Sequence, residues 1–244
     1  MEWNSDFSFD YYRKILSVLS SEFKCELLAD VLEREIEKPT VCIRHDIDVD
    51  PKRAIAMAEI EQKHGLVSTY YVMVNSPLYN VEEHCDVLKK LLGMGNDIGL
   101  HFSRKEIQSI EKIGVEVASD CRILEDLLGT KVRTISFHRP PQQVLRSSEH
   151  IAGRVNAYSA KLMEWYISDS RCRFRAGEPI RVIKEHKGKI LQFLTHPIWW
   201  GEKHASGVER ITEWFNQKTV GFSKQQKEEF AKKVYEEIDV FPNL

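Results

Sequence analysis

Apolar and polar positions alternate along this chain in two rhythms. Between residues 9 and 23, Tyr12, Ile15, Leu16 and Leu19 recur at three- and four-residue spacing, which predicts an amphipathic helix. Short β-rich runs at 40–45 (TVCIRH), 67–73 (VSTYYVM), 96–102 (NDIGLHF), 132–138 (VRTISFH) and 189–196 (KILQFLTH) predict strands. Helical spacing returns at 82–94, at 118–128 and in ITEWF and QQKEEFAKKVYEEI near the end. A further helix through AIAMAEIEQKH is marked at both ends. Asp50 can cap it, Pro51 suits its first position and Gly65 stops it. Strand and helix alternate at intervals of roughly 30 residues, which predicts a mainly parallel sheet, either a barrel or an open doubly wound sheet. No Gly/Pro/Ser-rich linker divides the chain, so one domain is expected over residues 1–244, with helical extensions around a core of about 40–200.

Composition narrows the partners. Apolar residues make up 42% and charged residues 30%, as in an ordinary globular protein. Thirty-five basic against 37 acidic side chains give a net charge of −2. With no basic block, nucleic acid is not an expected partner. The first residues lack a basic start followed by an apolar core, and no apolar run approaches 18 residues, so neither a secretory leader nor a membrane span is expected. Five scattered cysteines without CxxC spacing (Cys25, Cys42, Cys85, Cys121 and Cys172) fit reduced thiols and a cytoplasmic location. Neither GxGxxG nor GxxxxGK[ST] occurs, which argues against dinucleotide and P-loop chemistry. Oligomeric state leaves no mark on the sequence.

The chemistry-bearing residues gather at strand ends. TVCIR runs into His45, Asp46 and Asp48; NDIGL into His101; RTISF into His138 and Arg139; LQFL into His196. In parallel α/β folds the carboxyl ends of the strands share one face, so these segments are expected to meet in one pocket. Asp46 and Asp48 lie on the same side of an extended chain, about 6.6 Å apart. One can ligate a divalent ion while the other takes a proton from water, and the ion relieves their repulsion. Asp50 is better spent as the helix cap, and His45 points away from Asp46 as a structural residue. Trp199 and Trp200 follow His196, and two readings stand for them: a platform for a sugar ring, or core packing.

In order, RHDIDVD, GNDIGLHF, SFHRPP, YISDS and FLTHP resemble the five motifs of NodB-type polysaccharide deacetylases, carbohydrate esterase family four. The nearest likeness is to a divergent WbmS-like branch found among bacterial surface-polysaccharide genes. The resemblance implies a distorted (β/α)7 barrel. It also implies hydrolysis of N-acetyl groups on amino sugars with zinc or another divalent ion. Since no secretory leader is expected, a nucleotide- or lipid-linked amino sugar, as in lipopolysaccharide biosynthesis, is expected as the substrate rather than an assembled wall polymer. Asp46 looks like the family's general base and Asp48 like its metal ligand; one residue separates them where the family has them adjacent, so the roles are exchangeable. His101 matches the first histidine of the second motif, whereas Lys105 stands where the second belongs. His138, at the next strand end, is the expected replacement, giving Asp48, His101 and His138 as ligands. Arg139 matches the arginine that orients the catalytic aspartate and is assigned an anion-orienting or substrate role. Asp169 looks like the partner that tunes the catalytic histidine, and His196 like the general acid. Two alternatives keep the fold: a metal-independent amide hydrolase, and a non-catalytic carbohydrate-binding relative.

Overall fold

The structure is a computed structural model that describes residues 2–32, 35–36, 38–103, 110–185 and 188–238, with the side chains of all of these but 110 and 111. Lys105 lies outside the described residues.

In chain order the helices are α1 (Phe9–Glu22), α2 (Ala54–Lys63), α3 (Cys85–Gly93), α4 (Ile110–Leu128), α5 (Pro179–Lys184), α6 (Gly207–Lys218) and α7 (Lys224–Glu237). The strands are β1 (Lys24–Cys25), β2 (Thr40–Ile47), β3 (Ser68–Val72), β4 (Asp97–Phe102), β5 (Thr134–Phe137), β6 (His150–Ile151), β7 (Arg154–Asn156), β8 (Tyr166–Ser168) and β9 (Ile190–Thr195). They form one sheet in the order β6-β7-β5-β4-β3-β2-β9-β8, with β1 beside β2. Every pairing is parallel except the β6–β7 hairpin at one edge. The sheet curls into a half-barrel of the distorted (β/α)7 kind that the motifs imply. Among the described residues its hydrogen-bonded path does not run on from β8 to β6.

The long elements fall where the periodicity puts them, except that α4 begins at Ile110, ahead of the expected 118–128. Asp50 accepts from the Lys52 amide at 3.0 Å and caps a 3-10 turn, Pro51–Arg53, that leads into α2. β1, β6, β7 and β8 have only two or three residues each, too few for a period-2 pattern to show. All five cysteines are free thiols. Among the described residues no helix is long and apolar enough to cross a membrane.

Strand alternation decides which side chains reach the site. Ile43, Ile98, Leu100, Ile135 and Phe193 join the apolar faces of the helices, including Leu16 of α1, Met57 of α2, Leu91 of α3 and Leu124 of α4. The intervening residues face the hollow. There Cys42 and Tyr71 pack with Leu28, Val31 and Leu162 as a plug, and Arg44, Asp46 and His101 stand nearer the carboxyl ends of their strands. His45 lies on the helix side and is fully buried. Its Nε2 is 2.7 Å from Glu61 Oε1 and its Nδ1 2.8 Å from Thr195 Oγ1. Glu61 also accepts from Tyr12, from Ser68 at 2.7 Å and from Tyr70 at 2.8 Å. A buried carboxylate so fully paired ties α1, α2, β2, β3 and β9 together.

Gly99 makes the hollow possible. A Cβ there would lie 2.6 Å from Tyr71 Cδ1 and 2.7 Å from Thr134 Oγ1. Tyr71 in turn lies under the Arg44 guanidinium, 5.1 Å from the ring centroid. Gly99→Ala should therefore destabilise the fold by about 1–3 kcal/mol through overpacking. Denaturant unfolding checks this; an unchanged midpoint would mean that Tyr71 has room to move.

Candidate active site

The carboxyl ends of β2, β4, β5 and β9 open into one cavity of about 390 Å³. Asp46, Asp48, His101, His138, Arg139 and His196 all line it, with Ser168 and Ser170 on either side of Asp169. Six of the seven residues singled out from the sequence thus reach one cavity. The seventh, Asp169, lies fully buried behind it.

Asp46 is held by Arg44, two residues earlier on the same strand and hence on the same face. Arg44 Nε donates to Asp46 Oδ1 and Nη2 to Oδ2, both at 2.8 Å. The guanidinium is itself fully buried. It donates to Gln192 Oε1 at 3.0 Å and to the Tyr158 hydroxyl at 2.9 Å, and lies 4.5 Å from the Tyr158 ring centroid. A planar fork matched to a carboxylate gives both orientation and strength. Burial opposes ionisation of Asp46, but Arg44, with His101 and His196 adding to it, holds the carboxyl below its ordinary range.

Orienting the first aspartate thus falls to Arg44, not to Arg139. Arg139 is exposed at the rim, where Nη2 donates to the Glu236 carbonyl at 2.6 Å and the Glu237 carbonyl at 3.2 Å.

Asp48 lies between two histidines. His101 Nε2 is 3.1 Å from its Oδ1, and His196 Nε2 is 3.7 Å from its Oδ2. His101 Nε2 is also 3.8 Å from Asp46 Oδ2. Burial pushes the Asp48 carboxyl up, yet His101, His138 and His196 together hold it well below the usual carboxylate range. His101 Nδ1 is tied to Ser136 Oγ at 2.6 Å.

His196 is held by a carboxylate. Asp169 Oδ1 lies 2.6 Å from its Nδ1, and the same carboxylate accepts from the His196 amide at 3.0 and 3.1 Å and from Trp200 Nε1 at 2.9 Å. Burial pulls the imidazolium down, but Asp169, with Asp48 and Asp46 adding to it, raises the pKa to about 9. His138 runs the other way. Burial, with His101 and Arg139 nearby, lowers its pKa against the pull of Asp48. Trp200 is buried at 1% exposure and serves Asp169; Trp199 lines the cavity.

Asp48 Oδ1 is buried without a hydrogen-bond partner of good geometry, and it faces an imidazole nitrogen whose ring is oriented from behind by Ser136. The His101 and His138 rings pack edge-on at 5.6 Å between centroids. A carboxylate oxygen and two imidazoles are the donor chemistry of a divalent ion such as Zn2+, and the orphaned oxygen fits that use. Among the described residues no three His, Cys, Asp or Glu side chains are already spaced as a closed metal site.

The sequence reading missed Arg44, Ser136, Gln192 and Tyr158. Arg44 stands two residues before Asp46 on β2, and Ser136 stands on β5 two residues before His138, which follows that strand's end, so period 2 alone puts them on the site's face. Tyr158 carries no such signal.

No protein-family model matches the chain, and no curated protein does. Solved structures similar to it are family 4 carbohydrate esterases and polysaccharide deacetylases. The peptidoglycan deacetylase PdaC from Bacillus subtilis has 16% identity and a TM-score of 0.47 over 83% of this chain and 97% of that one. A family 4 pseudoenzyme from Bacillus anthracis has 16% identity and a TM-score of 0.44 over 78% of this chain. This chain spans 64% of that pseudoenzyme's length. A polysaccharide deacetylase from Bacillus cereus has 14% identity and a TM-score of 0.45 over 74% and 89%.

Two outcomes follow from the buried charges. Arg44→Ala leaves Asp46 buried without its partner and should cost about 3–5 kcal/mol of stability by chemical denaturation. A loss below 1 kcal/mol would contradict the pairing. Asp169→Asn removes the charge that raises His196, so its pKa should fall from about 9 towards or below the ordinary histidine value. Titration of the imidazole by NMR reads this, and an unmoved value would assign the shift to another group.

Proposed function

We propose that this chain removes an N-acetyl or similar acyl group from an amino sugar by hydrolysis. One observation carries the reading: a base oriented by an arginine (Asp46 on Arg44) and an acid oriented by a carboxylate (His196 on Asp169) line the same cavity. Amide hydrolysis needs both. Water must lose a proton as it attacks, and an amine departs only once it has gained one. The substrate we propose is a small nucleotide- or lipid-linked amino sugar.

Each residue's part follows from its environment. Arg44 keeps Asp46 unprotonated and aims it, so Asp46 takes the proton of the attacking water. Arg44 occupies both oxygens of Asp46, which supports Asp48, rather than Asp46, as the ion's ligand, with His101 and His138 beside it. When bound there, a divalent ion supplies Lewis acidity towards the amide carbonyl and the water. His196 carries a proton at neutral pH and hands it to the leaving nitrogen, and Asp169 stabilises the imidazolium until it does so.

A second reading keeps the acid and base and dispenses with the ion. It is favoured by the spacing at Asp48, where His101 closes to 3.1 Å.

Purified protein should release acetate and free amine from at least one member of a panel of free and UDP-linked N-acetylated amino sugars. Asp46→Asn should lower the rate about 10²–10⁴-fold. Activity abolished by chelation and restored by Zn2+ supports the first reading; activity indifferent to chelation supports the second. Failure to release acetate from any of these sugars, with any added divalent ion, would contradict both.

A further inference from the structure

The three cavity histidines share one feature. His101 Nδ1 is 2.6 Å from Ser136 Oγ, His196 Nδ1 is 2.6 Å from Asp169 Oδ1, and His138 Nδ1 is 3.4 Å from Glu237 Oε2. In each case an oxygen stands at Nδ1. For His101 and His196 the other nitrogen, Nε2, is the one turned to Asp48. An oxygen at Nδ1 fixes the ring plane and the tautomer, and so decides which nitrogen the reacting centre meets.

The third oxygen comes from outside the strand framework. Glu237 is the last residue of α7 and lies 99 positions beyond His138. Its placement is braced by the residue next to His138. Arg139 takes a left-handed backbone (φ 52°), uncommon for a residue with a Cβ. Its guanidinium donates to the Glu236 and Glu237 carbonyls. The last carbonyls of a helix have no partner within it and form the negative end of its dipole, so a guanidinium there satisfies both. Two adjacent residues after β5 thus grip two adjacent residues at the end of α7. Glu237 and Ile238 line the cavity as a result, with Ile238 held by its amide to the Val234 carbonyl at 2.8 Å. His138 and Glu237 side chains are only 12% and 13% exposed, so the contact is largely withdrawn from water.

The geometry points to Glu237 as a positioning residue of the site: its carboxylate takes the Nδ1–H of His138, presents Nε2 to the centre, and is held there by Arg139. Through Arg139, the end of α7 becomes a working wall of the cavity. This rests on the reading above only in giving His138 a part at that centre.

The test uses the full chain with ¹⁵N-labelled histidine, without added ion and with Zn2+. In the wild type His138 is expected as the Nδ1–H tautomer. In Glu237→Ala the population should move towards Nε2–H, while Glu237→Gln, which keeps an acceptor oxygen, should retain Nδ1–H. Arg139→Ala should produce the same shift as Glu237→Ala, because the strut rather than the carboxylate is lost. Zn2+ affinity should fall about 10–100-fold in Glu237→Ala and recover largely in Glu237→Gln. An unchanged His138 tautomer in both alanine variants overturns the assignment, whatever the wild type does with sugars. A wild type that binds no Zn2+ and releases no acetate counts against the proposed function instead, and leaves the tautomer comparison to decide the role of Glu237.

Discussion

The arrangement depends on a charge pair in the hollow of the sheet. Arg44 and Asp46 are at most 2% exposed, where one charge without the other would cost several kcal/mol. The pair is stable there because every direction is used. Two parallel hydrogen bonds join the ions, Gln192 and the Tyr158 hydroxyl take further guanidinium donors, and Tyr71 and Tyr158 flank its plane. Much of the hollow serves this pair. Gly99 gives Tyr71 its space, and Gln192 is anchored by donating to the Ala157 and Leu162 carbonyls at 2.9 and 3.0 Å. A rigid, ionised carboxylate at a strand end is what a general base requires.

The rest of the site extends outward from that fixed point. Asp48, two residues on, remains on the same face but above the last strand hydrogen bond, where it meets His101 and His196. Two groups lining the cavity then carry opposite proton affinities. Arg44 keeps Asp46 deprotonated, while Asp169 keeps His196 protonated to about pH 9. Environments that push two titratable groups apart divide base from acid at one pH.

Much of this is legible in the sequence, because alternation along a strand is a local rule. An apolar strand ending in D-x-D, and others ending in histidine, suffice to bring distant segments to one edge. The same rule sends His45 to the helix side, where Glu61 receives it. What is not legible depends on contacts between elements. The likeness of HRP to the family's arginine motif points to Arg139 for an anion-orienting or substrate role, yet Arg44 is the residue whose fork meets Asp46. Arg139 instead follows a left-handed turn to the end of α7, and no periodicity foretells that Glu237 lies beside His138. The short strands β6, β7 and β8 escape detection for the same reason: sheet pairing rather than residue preference makes them.

The central claim is that an ionised Asp46 and a protonated His196 act together. It is tested most directly by the pH dependence of acetate release from an N-acetylated amino sugar. With His196 as the acid, the active form is lost as pH rises through its raised value. The rate should hold across neutral pH and fall as pH passes about 9. A rate that keeps rising through that range would contradict the account, since it would mean that the reaction needs no proton from His196.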